Sequence, residues 1–144
     1  ATGVMLNHVE RKMALSDIRK AIRRADDVGL ATMVCADNLA EALALAQLGP
    51  NIIVAEPEDL IGKNEGNIGN RSFVAEINEK VRAINPDIQV LHSAGIYSGQ
   101  DVYDIISLGA DATGCTSAIM KATDPVKAMD EMISALRRAW DARQ

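Results

Sequence analysis

Glu56 closes the apolar run Ile52, Ile53, Val54, Ala55 and is followed at once by Pro57. That run reads as a buried parallel strand, and an ionised glutamate inside a sheet core would cost several kcal/mol, roughly the usual desolvation penalty. The carboxylate therefore belongs at the strand's mouth, where its charge can be used and where α/β proteins keep their chemistry. A plain loop glutamate is the alternative. His8 and Glu10, two residues apart, follow another apolar run, Gly3 to Leu6. A lone histidine after a strand is more often structural than chemical, so the weight of His8 rests on the string around it. The glycine-bearing polar stretch from Gly62 to Asn70 is either a working loop or a loose one.

Composition limits the partners these residues could serve. The 144 residues are 48% hydrophobic and 24% charged, enough for one domain with a real core. Aromatics are only 3%, so Ala, Ile, Val, Leu and Met carry the packing, as suits helices laid on a parallel sheet. A formal charge of −5, with Lys and Arg scattered along helices, argues against nucleic acid. No stretch is long enough to span a membrane, and no signal peptide is visible. Cys35 and Cys115 lack neighbours of metal-ligand spacing and read as reduced, small buried residues of a cytoplasmic protein. No metal or cofactor is implied.

The elements that must position the candidates recur as one unit: an apolar run, a capping residue, then an amphipathic helix stopped by Gly or Pro. The first strand, to about Leu6, leads to a helix capped by Ser16, with Ile18, Ala21, Ile22 and Ala25 inward and Gly29 as its stop. Ala31 to Cys35 is the second strand, and Asn38 with Glu41 forms a capping box for a helix burying Leu39, Ala42, Leu43 and Ala46 before Gly49. The third strand ends at Glu56, and its helix carries Phe73, Ile77, Val81 and Ile84. Ile88 to Leu91 is the fourth strand, with Ser98 capping a helix that buries Val102, Ile105 and Ile106. Ala112 to Thr116 is the fifth, and Asp124 with Pro125 opens a helix with the stripe Val126, Met129, Ile133, Leu136 and Trp140.

Five βα units in a row with no hairpin predict an α/β protein with a parallel sheet. Asn7 to Arg11 has no Gly-x-Gly turn, which disfavours a doubly wound nucleotide-binding sheet and favours a βα barrel. A closed eight-unit barrel takes about 250 residues, so five units are too few. The chain opens at Ala1 almost inside a strand, from which we expect either a removed leader or the later part of a longer polypeptide.

Taken together the strand ends are specific. Val4, Met5, Leu6, Asn7, His8, Val9, Glu10, Arg11 resembles the fourth-strand motif of triosephosphate isomerases. Val54, Ala55, Glu56, Pro57 through Leu60, Ile61, Gly62 resembles their sixth. The archaeal form is the nearest, and the likeness continues in Thr32 to Cys35, in Ser93, Ala94, Gly95, Ile96 with Ser98 and Gly99, and in Lys121 to Pro125. It runs the whole chain, from strand four to helix eight of a TIM barrel. The resemblance thus implies residues 1–144 as a single domain, five of eight units, with the first three units and their substrate-holding Asn and Lys lying outside it.

The resemblance also implies chemistry: interconversion of dihydroxyacetone phosphate and glyceraldehyde 3-phosphate through an enediolate, with a small phosphorylated sugar as partner. Glu56 would be the base and His8 a neutral electrophile, a pairing that general accounts of this enzyme already describe. Glu10 would be a supporting carboxylate. Gly62 would begin a lid over the phosphate, which Ser93, Gly95, Thr116 and Ser117 would bind. His92 reads as a local substitution with no catalytic task, and Met120 and Met129 as core or rim.

Some positions depart from the family. Val9 stands where the family has Ser, so a hydroxyl that could bond the resting glutamate is gone. The segment Gly62 to Gly69 differs from the family's lid, and Tyr97 with Thr116, Ser117, Ala118 crowds the phosphate end. A related isomerase of a four-carbon ketose or aldose phosphate, or a non-catalytic partial barrel, are the alternatives. Open strand edges point to a homo-oligomer or to association with the missing N-terminal segment.

Overall fold

The computed structural model describes residues 1–57 and 71–144. Its five strands are β1 (Gly3–Leu6), β2 (Ala31–Ala36), β3 (Ile52–Ala55), β4 (Gln89–His92) and β5 (Ala112–Thr113). They form one sheet in chain order, every neighbouring pair parallel. Between them lie α1 (Leu15–Asp27), α2 (Leu39–Ala46), α3 (Arg71–Ile84) and α4 (Gly99–Ser107), and after β5 come the short α5 (Ser117–Met120) and α6 (Pro125–Ala142). The α/β class and the run of parallel βα units stand as read from the sequence.

Register explains the core. Leu6, Val34, Ile53 and Val90 stand side by side across four strands, and all belong to the cluster shared with Ile18, Ile22, Leu45, Ile77 and Val81 of the helices. Because strand side chains alternate, the intervening row, Cys35, Val54, Leu91 and Ala112, faces the other way, toward what would be a barrel's interior. A second cluster joins α4 to α6 through Val102, Ile105, Ile106, Ala135 and Ala139.

Several local expectations need correction. Ser16 does not cap α1: the helix begins at Leu15 behind Ala14, with no side-chain cap, and the amides of Asp17 and Ile18 bond to the Ala14 carbonyl. Asn38 does cap α2, accepting from the Glu41 amide at 2.9 Å, but Glu41 does not return the bond. Its carboxylate is drawn instead to the Asp37 amide at 2.6 Å and to Lys12. Ser98 and Asp101 form the reciprocal box at α4, and Asp124 caps α6 from before Pro125. Of the stripe assigned to α6, only Leu136 packs against the core. Val126, Met129, Ile133 and Trp140 are exposed, whereas Met132, Ala135 and Ala139 are buried. β5 is two residues long, because the chain leaves the sheet at Gly114 and turns into α5.

Candidate active site

Alternation places Glu56 and Ser93 together. Ala55 pairs with His92 in the sheet, and both face the helices, so the residues that follow each of them turn to the interior face at the strands' C-terminal ends. The Glu56 amide extends the ladder to the Ala36 carbonyl at 3.0 Å, fixing the backbone beneath the carboxylate. The Ser93 hydroxyl donates to Glu56 Oε1 at 2.9 Å. The hydroxyl partner that Val9 cannot offer Glu56 is thus supplied from a different strand.

His8 reaches the same place by a different device. Asn7, buried at the end of β1, adopts a left-handed backbone with φ 59°. Its amide donates to the Cys35 carbonyl at 2.9 Å, and its oxygen accepts from the Met13 amide at 3.0 Å. This turn aims the imidazole at the cleft, with Nε2 3.7 Å from Glu56 Oε2. The other nitrogen, Nδ1, accepts the Glu10 amide at 3.3 Å, so the neutral ring carries its proton on Nε2, toward Glu56. At 3.7 Å the two groups face each other without a direct hydrogen bond, leaving room for an oxygen that could engage both.

The cleft has a volume of about 450 Å³. Its wall brings together His8, Glu56, Ser93, Gly95, Thr116 and Ser117. Glu10 is not part of it: its side chain is 87% exposed and lies 3.6 Å from His8 Nδ1, on the side away from Glu56. Gly62, with the proposed lid, lies outside the described residues. Tyr97 stands in the wall too, at the end where the sequence places it, while Lys121 and Cys115 are among the wall residues that sequence reasoning left out. Lys121 sat within a motif already singled out, and only the turn into α5 brings its cation to the cleft.

Electrostatics around the cleft follow from burial. The Cys35 thiol is pushed up to about 11, first by burial and then by the charge of Glu56, so it stays protonated beneath the site. Cys115 is only half-buried and lines the cleft, contrary to the expectation of a fully buried residue; burial raises its thiol too. Beside Asn7, Lys12 bonds Asp37 at 2.6 Å and Glu41 at 3.3 Å. Partial burial works against its charge, but the bond to Asp37 and the pull of Glu41 outweigh it and hold the ammonium above its usual value. His92 faces away from the cleft, its Nε2 2.9 Å from Asn78 Oδ1 in the core. Among the described residues no three His, Cys, Asp or Glu side chains converge as a metal site would need.

A family model described as thiazole biosynthesis protein ThiG matches residues 15–144. The chain belongs to the ThiG family. Its curated relatives bear another name. It is 39% identical to a triosephosphate isomerase of Sulfurisphaera tokodaii, over 100% of this chain and 63% of that protein. It is 36% identical to the triosephosphate isomerase of Methanobacterium bryantii, over 94% of this chain and 61% of that protein. The chain thus resembles archaeal triosephosphate isomerases along its whole length, as the strand ends imply, and spans about 60% of the length of these relatives. Among solved structures it resembles a thiamine phosphate pyrophosphorylase from Pyrococcus furiosus, with TM-score 0.73 and 24% identity, over 96% of this chain and 61% of that one. It also resembles the Amycolatopsis orientalis BexX/CysO complex, with TM-score 0.65 over 86% of this chain and 48% of that one. At such identities the likeness concerns the fold, and a partial TIM-type barrel is consistent with it. The ThiG match begins after His8 and Glu10, whereas the isomerase of Sulfurisphaera tokodaii aligns with all of the chain, His8 included.

Proposed function

We propose that the protein carrying this chain is a triosephosphate isomerase, interconverting dihydroxyacetone phosphate and glyceraldehyde 3-phosphate through an enediolate. The observation that carries the reading is the opposition of Glu56 Oε2 and His8 Nε2 across 3.7 Å at the mouth of the cleft. Such chemistry needs a base to take a proton from carbon and a donor to stabilise the oxygen on which charge develops. Glu56 supplies the first, and the Nε2–H of a neutral His8 the second. The phosphate would lie along Ser93, Gly95, Thr116 and Ser117 with Lys121 at the rim, Gly62 opening a lid over it, while Glu10 acts only through His8. Residues 1–144 would be one domain, the later five units of an eight-unit barrel. A reducing compartment such as the cytoplasm suits two free cysteines.

A four-carbon ketose phosphate is the second reading. Tyr97 favours it, since its presence in the cleft wall reshapes the end where a phosphate would sit. The deciding experiment is steady-state assay of the full-length protein with triose and tetrose phosphates, wild type beside Glu56→Gln. General-base loss should lower kcat by about 10²–10⁴ with little change in KM. His8→Gln should lower kcat as well. Wild-type turnover in Glu56→Gln would remove the base from this account.

A further inference from the structure

We propose that Ser93 is a positioning residue for Glu56, selecting which carboxylate oxygen takes the proton. The inference rests on the reading of Glu56 as the base. A glutamate side chain has three rotatable bonds, and its two oxygens are chemically alike until something distinguishes them. Here something does. Oε1 accepts the Ser93 hydroxyl at 2.9 Å, while Oε2 is the oxygen that faces His8 Nε2 at 3.7 Å. The occupied oxygen is a poorer proton acceptor, since one lone pair is engaged and the bond stabilises its charge. The free oxygen is left on the side where the imidazole can hold a substrate oxygen next to the carbon that loses its proton.

The arrangement is built into the sheet. Ser93 and Glu56 each follow one member of the register pair Ala55 and His92, so their backbones are fixed relative to each other before any side chain is chosen. The peptide below Glu56 is tied to Ala36, and His92 below Ser93 is tied by Thr113 Oγ1 and Asn78. A hydroxyl on such a base restrains the carboxylate at little entropic cost. With its hydroxyl engaged here, Ser93 has only its backbone amide left to offer a phosphate.

The test is a split of kcat from KM in the full-length protein with triose phosphates. Ser93→Ala should lower kcat by about tenfold, as expected for one lost charge-assisted bond, and leave KM within about twofold. Ser93→Thr keeps the hydroxyl and should recover kcat to within about threefold of wild type. If Ser93→Ala does not accumulate as folded protein, Ser93→Cys is read on the same scale. A raised KM with unchanged kcat would assign Ser93 to the phosphate and overturn the proposal. So would unchanged kinetics, or a threonine variant as slow as the alanine one. Glu56→Gln is measured alongside: if it keeps turnover, the reading of Glu56 fails, and if it is inactive while Ser93→Ala is normal, only the role of Ser93 fails.

Discussion

Asn7 matters to the site although it touches no part of the cleft. It sits at φ 59°, where asparagine is tolerated and most side chains are strained, and it ties the end of β1 to Cys35 and Met13. Asn7→Ala keeps a strained backbone and strands the buried Cys35 carbonyl and the partly buried Met13 amide, so it should destabilise the chain by about 2–4 kcal/mol, read from urea unfolding. Asn7→Gly relieves the strain and should cost less than the alanine variant. Titration of His92 gives a second expectation. Burial, with Arg82 adding to it, lowers this imidazole to about 4, well below its unfolded value of 6.5. The unfolded state therefore binds the extra proton between these limits. Stability present above pH 6.5 should fall as pH drops toward 4, by roughly 2–3 kcal/mol, and then level off. His92→Gln, which keeps a partner for Asn78, should flatten that slope in urea titrations at several pH values. At this scale the sequence was informative where chemistry and position coincide. Glu56 after four apolar residues and His8 after β1 both line the cleft, whereas the bond between Ser93 and Glu56 depends on sheet register, which is long-range and not written in either strand alone.

Helices and strands were legible wherever a periodic run met a capping residue. The boundaries of β1, β3 and α4 needed nothing more than Gly, Pro and Ser in the right places. α6 was misread because size was taken for burial. Its largest apolar residues lie roughly a quarter-turn round the helix from Met132, Ala135 and Ala139, the face that meets α4. Contact on that face is close: a Cβ on Gly99 would stand 3.1 Å from the Glu131 carbonyl and 3.4 Å from the Ala135 Cβ. Small residues are therefore what the helix pair requires, and bulk goes elsewhere. Ala135→Val should overpack this contact and cost about 1–3 kcal/mol. In the 144-residue chain, Ile133→Ser, at a position 58% exposed, should change stability by less than about 0.5 kcal/mol. Chemical denaturation of the two variants side by side checks the inversion, and a larger loss from Ile133→Ser would show that the exposed stripe is covered.

At the scale of the whole molecule, both ends of the sheet carry uncovered apolar surface. Among the described residues β1 pairs only with β2, and Met5 on it is 56% exposed; Leu15 and Val28 of the first βα unit are exposed as well. At the other end, β5 borders an open groove of about 230 Å³ lined by Ile96, Met129, Ile133 and Leu136. Exposed strand edges flanked by apolar side chains invite pairing with another segment. The chain spans about 60% of the length of its curated relatives, so we expect a polypeptide matching the remainder of such a relative to bind across both ends at once. Among the described residues that line the cleft Lys121 is the one cation, too little charge by itself to hold a dianionic phosphate firmly beside Glu56. The 144-residue chain assayed by itself should therefore turn over triose phosphates very slowly, since losing even one preorganised donor costs roughly 10²–10³ in rate. Adding the complementary segment of the Sulfurisphaera tokodaii isomerase should raise the rate and convert self-associated species into a one-to-one complex, followed by light scattering and mass spectrometry. Met5→Lys with Ile133→Lys should abolish the gain by placing charge on both contact surfaces while leaving Glu56 and His8 untouched. A strictly monomeric chain with full isomerase activity and no response to the added segment would mean that five βα units suffice, and that the apolar ends serve some other contact.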